Sequence, residues 1–179
     1  MPKKPGGGTL SRLTSACRGT FASGLRPLAR PLMRSVSPLQ PMTNEVEVYF
    51  ALKGDDFDPD AFIKLAGLAP TEVFRKGEPG RYVEAYKFSS WKVSTGRIAN
   101  DVLRVDELVD QLIERIEPSA DCFANVISEL NLCAVLEVVL YISMDKTIST
   151  PALGFSSRTI AFLHRVGATI DVDIYRNAG

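Results

Sequence analysis

The stretch Cys133 to Ser143, CAVLEVVLYIS, constrains this chain more than any other. Leu136, Val138, Leu140 and Ile142 fall on one alternating face, and Val135, Glu137, Val139 and Tyr141 on the other. A strand apolar on both faces belongs in the middle of a sheet, where neighbours pair with both edges. The rest of the chain must therefore supply flanking strands and a layer to cover the apolar face. Glu137 is the odd member of the run.

The flanking strands read clearly. Val46, Val48, Phe50 and Leu52 alternate with Glu45, Glu47, Tyr49 and Lys53, which gives a half-buried strand. Ile170, Val172 and Ile174 alternate in the same way with Thr169, Asp171, Asp173 and Tyr175. Thr71 to Arg75 and Lys87 to Thr95 are expected to be two more strands, joined through a turn or longer loop marked by Gly77, Pro79 and Gly80.

Helices account for the remaining apolar periodicity. Asp58-Pro59 supplies an N-cap and a proline at the first helical position, and Gly67 ends the short helix that follows. Val105, Leu108, Val109, Leu112, Ile113 and Ile116 recur at helical spacing. Pro118 breaks that run and starts a second helix, with Cys122, Phe123, Val126, Ile127 and Leu130 inward. Ser156 or Ser157 caps a last helix bearing Ile160, Ala161, Leu163 and Val166, which Gly167 stops.

The expected fold class is α+β, a ferredoxin-like or related sheet of about five strands with helices mainly on one face. Residues 61–67 (AFIKLAG) and 161–167 (AFLHRVG) echo one another, each between strands, so an internal strand–helix–strand duplication is one reading. Any short helix ending in glycine is the other.

Net charge separates two segments. Residues 1–41 hold seven basic and no acidic residues and lack an apolar face, so a disordered basic tail is expected there. Arg12, Arg18, Arg26 and Arg30 interrupt every candidate secretory core, leaving a transit-type targeting segment or an over-long start before Met42. Residues 42–179, the expected single domain, carry 14 basic against 21 acidic residues, a net charge of −7. That balance repels phosphate backbones and disfavours general nucleic-acid binding. No stretch approaches the ~20 apolar residues of a membrane span. Three sparse cysteines without CxxC spacing point to a reducing compartment, the cytoplasm.

A family resemblance rests on the order of several short motifs. These are Phe50-x-Leu52-x-Gly54, the Asp58-Pro59 helix, Gly67-Leu68-x-Pro70-Thr71, Lys76-Gly77 and Phe88-Ser89-Ser90-Trp91. The loop Pro151-Ala152-Leu153 and the ending Asp171-Val172-Asp173-Ile174-Tyr175 continue the pattern. In that order they resemble the bacterial family called domain of unknown function 4279, over about residues 44–176. The resemblance implies a fold and a bacterial setting, favours the over-long start, and transfers no catalytic residues.

Chemistry-bearing constellations are few. Asp55-Asp56-Phe57-Asp58-Pro59-Asp60 fails as a calcium loop, because from Asp56 the required glycine is Ala61 and the twelfth position is Gly67. Its acids suit a helix N-terminus instead. His164 is the only histidine, so a triad would need Asp171 or Glu137 to approach it. GxSxG, P-loop, GxGxxG and HExxH motifs do not occur in the sequence.

Residues 75–97 collect Arg75, Lys76, Arg81, Lys87, Lys92 and Arg97 against only Glu78 and Glu84. Phe74, Tyr82, Tyr86, Phe88 and Trp91 interleave with them. One reading is a site for an anionic ligand or single-stranded nucleic acid. The other is a wet strand face, with Trp91 and Val93 pointing inward by alternation. The leading expectation for the whole chain is a non-catalytic protein-interaction module without cofactor, of the immunity or antitoxin kind. Its partner would be an unknown protein met through acids such as Asp106, Glu107, Asp110, Glu114, Asp171 and Asp173.

Overall fold

A computed structural model describes residues 43–100 and 102–177. The elements run β1 (Asn44–Gly54), α1 (Pro59–Ala66), β2 (Glu72–Phe74), β3 (Ser89–Asn100), α2 (Val105–Ile116), α3 (Ala120–Leu130), β4 (Cys133–Ser143), α4 (Ser157–Val166) and β5 (Thr169–Asn177). The boundary expected at Met42 and the basic residues before it lie outside the described residues.

The five strands form one open mixed sheet in the order β2-β3-β1-β4-β5. β1 is antiparallel to both β3 and β4, and β2 is antiparallel to β3. It follows that β1–α1–β2 joins two parallel strands with β3 between them, the split βαβ of a ferredoxin-like sheet. The pair α2–α3 likewise carries the chain from β3 to β4 across β1. β5 is an addition to that plan, set parallel to β4 through α4.

The expected α+β class is therefore found, and β4 occupies an interior position as its two-sided apolarity requires. The two units that looked like a repeat differ in pairing: β4 and β5 are neighbours, whereas β1 and β2 are separated by β3. What 61–67 and 161–167 share is local, a helix stopped by a glycine at φ 63° and φ 70° respectively.

All buried alternate residues of β1, Val46, Val48, Phe50 and Leu52, face the helices. They meet Trp91 and Val93 of β3, and Leu136, Val138 and Leu140 of β4, beneath Phe62 of α1, Val109, Leu112 and Ile113 of α2, Phe123 of α3 and Phe162 of α4. Phe123 is the hub. Its ring lies 5.2 Å from Phe62, 5.3 Å from Phe50, 5.6 Å from Trp91 and 6.3 Å from Phe162. Three of these pairs are edge-on and the Phe62 pair is tilted, and edge-on aromatic pairs add about 0.5–1.5 kcal/mol each beyond their burial. Trp91 is fully buried, as alternation predicts, and its indole N–H is the one buried side-chain polar atom without a partner among the described residues.

Capping is legible in the geometry. Asp58 Oδ1 accepts from Asp60 N at 2.9 Å and Ala61 N at 3.2 Å, and Pro59 opens α1. Ser156 caps α4 by accepting from Thr159 N at 3.2 Å. Both hydroxyls also donate to Asp110 of α2, at 2.5 Å from Ser156 and 2.9 Å from Thr159, which holds the Asp110 carboxyl below its ordinary range and ties α2 to α4. Pro118 sits in a one-turn 3-10 link, Glu117–Ser119, between α2 and α3.

The third strand departs from expectation at both ends. It begins at Ser89, leaving Lys87 and Phe88 in the preceding loop, and it runs on to Asn100. Its length depends on a bulge, in which Thr95 and Gly96 together oppose Val48. The Thr95 hydroxyl accepts from Val48 N at 3.1 Å and donates to its carbonyl at 3.2 Å, and Gly96 takes φ 72°, which few other residues adopt.

The aromatic hub sets the stability. Phe123→Ala is expected to cost about 3–5 kcal/mol and Phe88→Ala, on a ring in the loop, less than about 1 kcal/mol. Urea titration followed by the fluorescence of the single, buried Trp91 measures both.

Candidate functional site: the uncovered face of the sheet

The helices cover one side of the sheet, and among the described residues no element covers the other. β1 presents Glu45, Glu47, Tyr49 and Lys53 there. β4 presents Glu137 and Tyr141 in register with Asp171 and Tyr175 of β5, with Asp173 beside them. Glu72 of β2 pairs with Lys92 of β3 on the same side. The bulge decides the position of Arg97. Unbroken alternation from Trp91 and Val93 would aim it at the helices, but the extra residue turns it outward opposite Glu47.

Two linked groups occupy this face. In the first, Lys92 Nζ lies 3.0 Å from Glu72, 3.5 Å from Glu47 and 4.4 Å from the centre of the Tyr49 ring. Ser94 donates to the same Glu47 carboxylate at 2.6 Å. In the second, Arg97 pairs with Glu45 and stacks 3.7 Å over Tyr141, whose ring lies 5.3 Å from Tyr175 at an interplanar angle of 21°. The Tyr175 hydroxyl donates to Asp173 at 3.3 Å.

Tyr49 joins the two groups. Burial, and then its hydrogen bond to the Glu137 carboxylate, push its hydroxyl far above the ordinary tyrosine range. Tyr175 is also raised, chiefly by the charge of Asp173.

Among the described residues six carboxylates and three cations share the face, which makes their sum negative. The charge is unevenly compensated. Glu45, Glu47 and Glu72 are spent on Arg97 and Lys92, whereas Glu137, Asp171 and Asp173 have no ion pair among the described residues. The excess of negative charge is therefore on the β4–β5 side.

The six basic residues singled out in the sequence do not converge. Arg75 makes a two-pronged pair with Asp60, both bonds 2.7 Å, which raises the arginine and lowers the carboxyl. Lys76 lies 3.4 Å from Asp55. These pairs tie the loop after β2 to the acidic start of α1, so Asp55, Asp58 and Asp60 serve ion pairs and a cap. Arg81 and Lys87 are exposed in the 75–88 loop, Arg81 lying 5.5 Å from the Tyr82 ring, which is 88% exposed. Lys92 and Arg97 belong to the uncovered face described above. Neighbours in sequence thus end in three places.

The acids expected to share one surface are divided as well. Asp106, Glu107, Asp110 and Glu114 sit on α2 in the helical layer, while Asp171 and Asp173 are on the opposite side of the sheet. The same sheet separates exposed His164 of α4 from Glu137 and Asp171, so these three do not assemble. A small apolar groove of about 160 Å³ lies between Phe57, Phe62 and Leu65 on one side and Val126 and Leu130 of α3 on the other. Tyr49, Tyr141 and Tyr175 are not singled out by the sequence reading, and Glu137 stands out there only as the odd member of its strand and a possible partner of His164. Their signal was present: three strands place acids and tyrosines at alternating positions opposite their core residues.

The architecture defines a ferredoxin-like α+β domain extended by one parallel strand, with a tyrosine-bearing, acidic sheet face that no described element covers. The profile of the family described as domain of unknown function (DUF4279) matches residues 44–177, and the chain belongs to that family. No curated protein and no solved structure matches the chain. Among the described residues, no helix is long and apolar enough to cross a membrane.

Alkaline titration tests the centre of the face. A hydroxyl raised in the folded state stabilises the fold below the unfolded tyrosine value of about 10 and loses that contribution as pH rises beyond it. Absorbance at 295 nm should show Tyr49 silent until the protein unfolds. Glu137→Gln should bring its titration back toward the ordinary range, and Tyr49→Phe should remove it.

Proposed function

We propose that the domain is a non-catalytic protein-interaction module whose uncovered sheet face receives a basic protein surface. The observation that carries this reading is the composition of that face: uncompensated Glu137, Asp171 and Asp173 beside the stacked rings of Tyr141 and Tyr175. Tyrosine rings supply contact area at low entropic cost, and clustered negative charge accelerates and selects a positive partner. A module of the immunity or antitoxin kind, masking the basic working surface of a toxin in the cytoplasm, fits these properties.

The alternative is an anion or single-stranded nucleic-acid site in residues 75–97. In its favour, Arg81, Lys87 and Tyr82 are exposed on one loop. Against it, Arg75, Lys76, Lys92 and Arg97 already hold carboxylates, and a phosphate would have to displace them.

Charge reversal separates the two. Glu137→Lys with Asp173→Lys should weaken capture of a host partner by at least about tenfold, and Arg81→Glu with Lys87→Glu should leave it unchanged, read by quantitative pull-down and biolayer interferometry. Salt-dependent binding of an oligonucleotide, abolished by the Arg81 and Lys87 changes, would establish the alternative instead.

A further inference from the structure

We infer that the free edge of β5 receives an extended segment of a partner protein, one that alternates basic and apolar residues, as a sixth strand of the sheet. The inference rests on the interaction reading above and adds a place and a binding mode to it.

Backbone geometry comes first. β5 runs for nine residues, pairs with β4 without a register shift and contains no proline. Among the described residues nothing pairs with its other edge, so a row of N–H and C=O groups is presented there. The opposite edge of the sheet is β2, only three residues long. Short strands, prolines and bulges blunt an edge toward any partner, and β5 has none of them; its aspartates act only against an edge of like charge.

Side chains then specify the occupant. Toward the helical layer β5 exposes Ile170 and Ile174, 37% and 60% accessible, flanking Val172, which packs on the core. Toward the uncovered face it presents Asp171 and Asp173, backed by Glu137 in register with Asp171. An added strand would place alternate residues beside these two rows. Lysine or arginine facing the carboxylates, and valine or isoleucine facing Ile170 and Ile174, satisfy both. A second copy of β5 satisfies them poorly, because its own aspartates would enter the row that already holds Asp171, Asp173 and Glu137.

The probe is a nine-residue peptide of alternating Lys and Val added to the full chain, with hydrogen exchange followed on the 169–177 amides. Exchange there should slow on binding, and binding should weaken at higher salt. Asp171→Lys with Asp173→Lys should lower affinity by at least about tenfold while Trp91 fluorescence and circular dichroism stay unchanged. The same peptide N-methylated at alternate residues keeps its charges, loses strand donors, and should not bind. Binding that survives N-methylation, or that perturbs Tyr49 and Tyr141 without protecting 169–177, overturns the edge mode and leaves the interaction reading standing. Protection of β5 that depends on protein concentration without peptide overturns it in favour of a second copy. Failure of this peptide and of polylysine to bind at all overturns both.

Discussion

The contact of Phe123 with Phe50, Phe62, Trp91 and Phe162 is the interaction on which the rest of the architecture depends. It gathers α1, α3 and α4 onto the two strands at the centre of the sheet, and it does so from one side only. Each ring comes from a different element, so no local segment can bury its own aromatic surface. The large rings leave little room for adjustment, since interiors pack at crystal-like density. Trp91 fits into this cluster with its N–H unpaired among the described residues, a cost of about 1–3 kcal/mol that its buried surface must offset.

One-sided packing fixes the character of the other face. The helices that could have covered it are engaged elsewhere, and the strands place charged and hydroxyl-bearing residues there. Long side chains shelter one another in their place: Lys92 lies over Tyr49, and Arg97 over Tyr141. Small apolar residues underneath, such as Ala51, Val135 and Val139, are buried although no second layer covers them among the described residues.

How much of this could be read from the sequence depended on the range of the interaction involved. Period-two strands, the Asp58-Pro59 start, the two glycine stops and the inward Trp91 are local properties, and alternation or capping identifies them. The split βαβ order was foreseen only as a class, because pairing is chosen by contacts far apart in the chain. The basic stretch left a binding patch and a wet strand face both open, because contiguity in sequence does not show that Arg75 and Lys76 reach α1 while Arg81 and Lys87 stay in a loop. Arg97 was obscured by the bulge at Thr95-Gly96, which reverses the parity counted from Trp91. The acidic face itself is assembled from β1, β4 and β5, and no window of sequence contains it.

That same bulge also explains why the charge on the face is lopsided. By turning Arg97 outward it gives Glu45 a partner, just as Lys92 serves Glu47 and Glu72, so the β2–β3 side is close to neutral. Among the described residues nothing equivalent happens at β4 and β5, where Glu137, Asp171 and Asp173 lie beside tyrosines without an ion pair. Aspartates on an edge strand discourage identical edges from joining, because each copy brings the same charge. They do not discourage a basic strand. In the strand-addition mode proposed above, one set of residues would both oppose self-association and favour a partner of opposite sign.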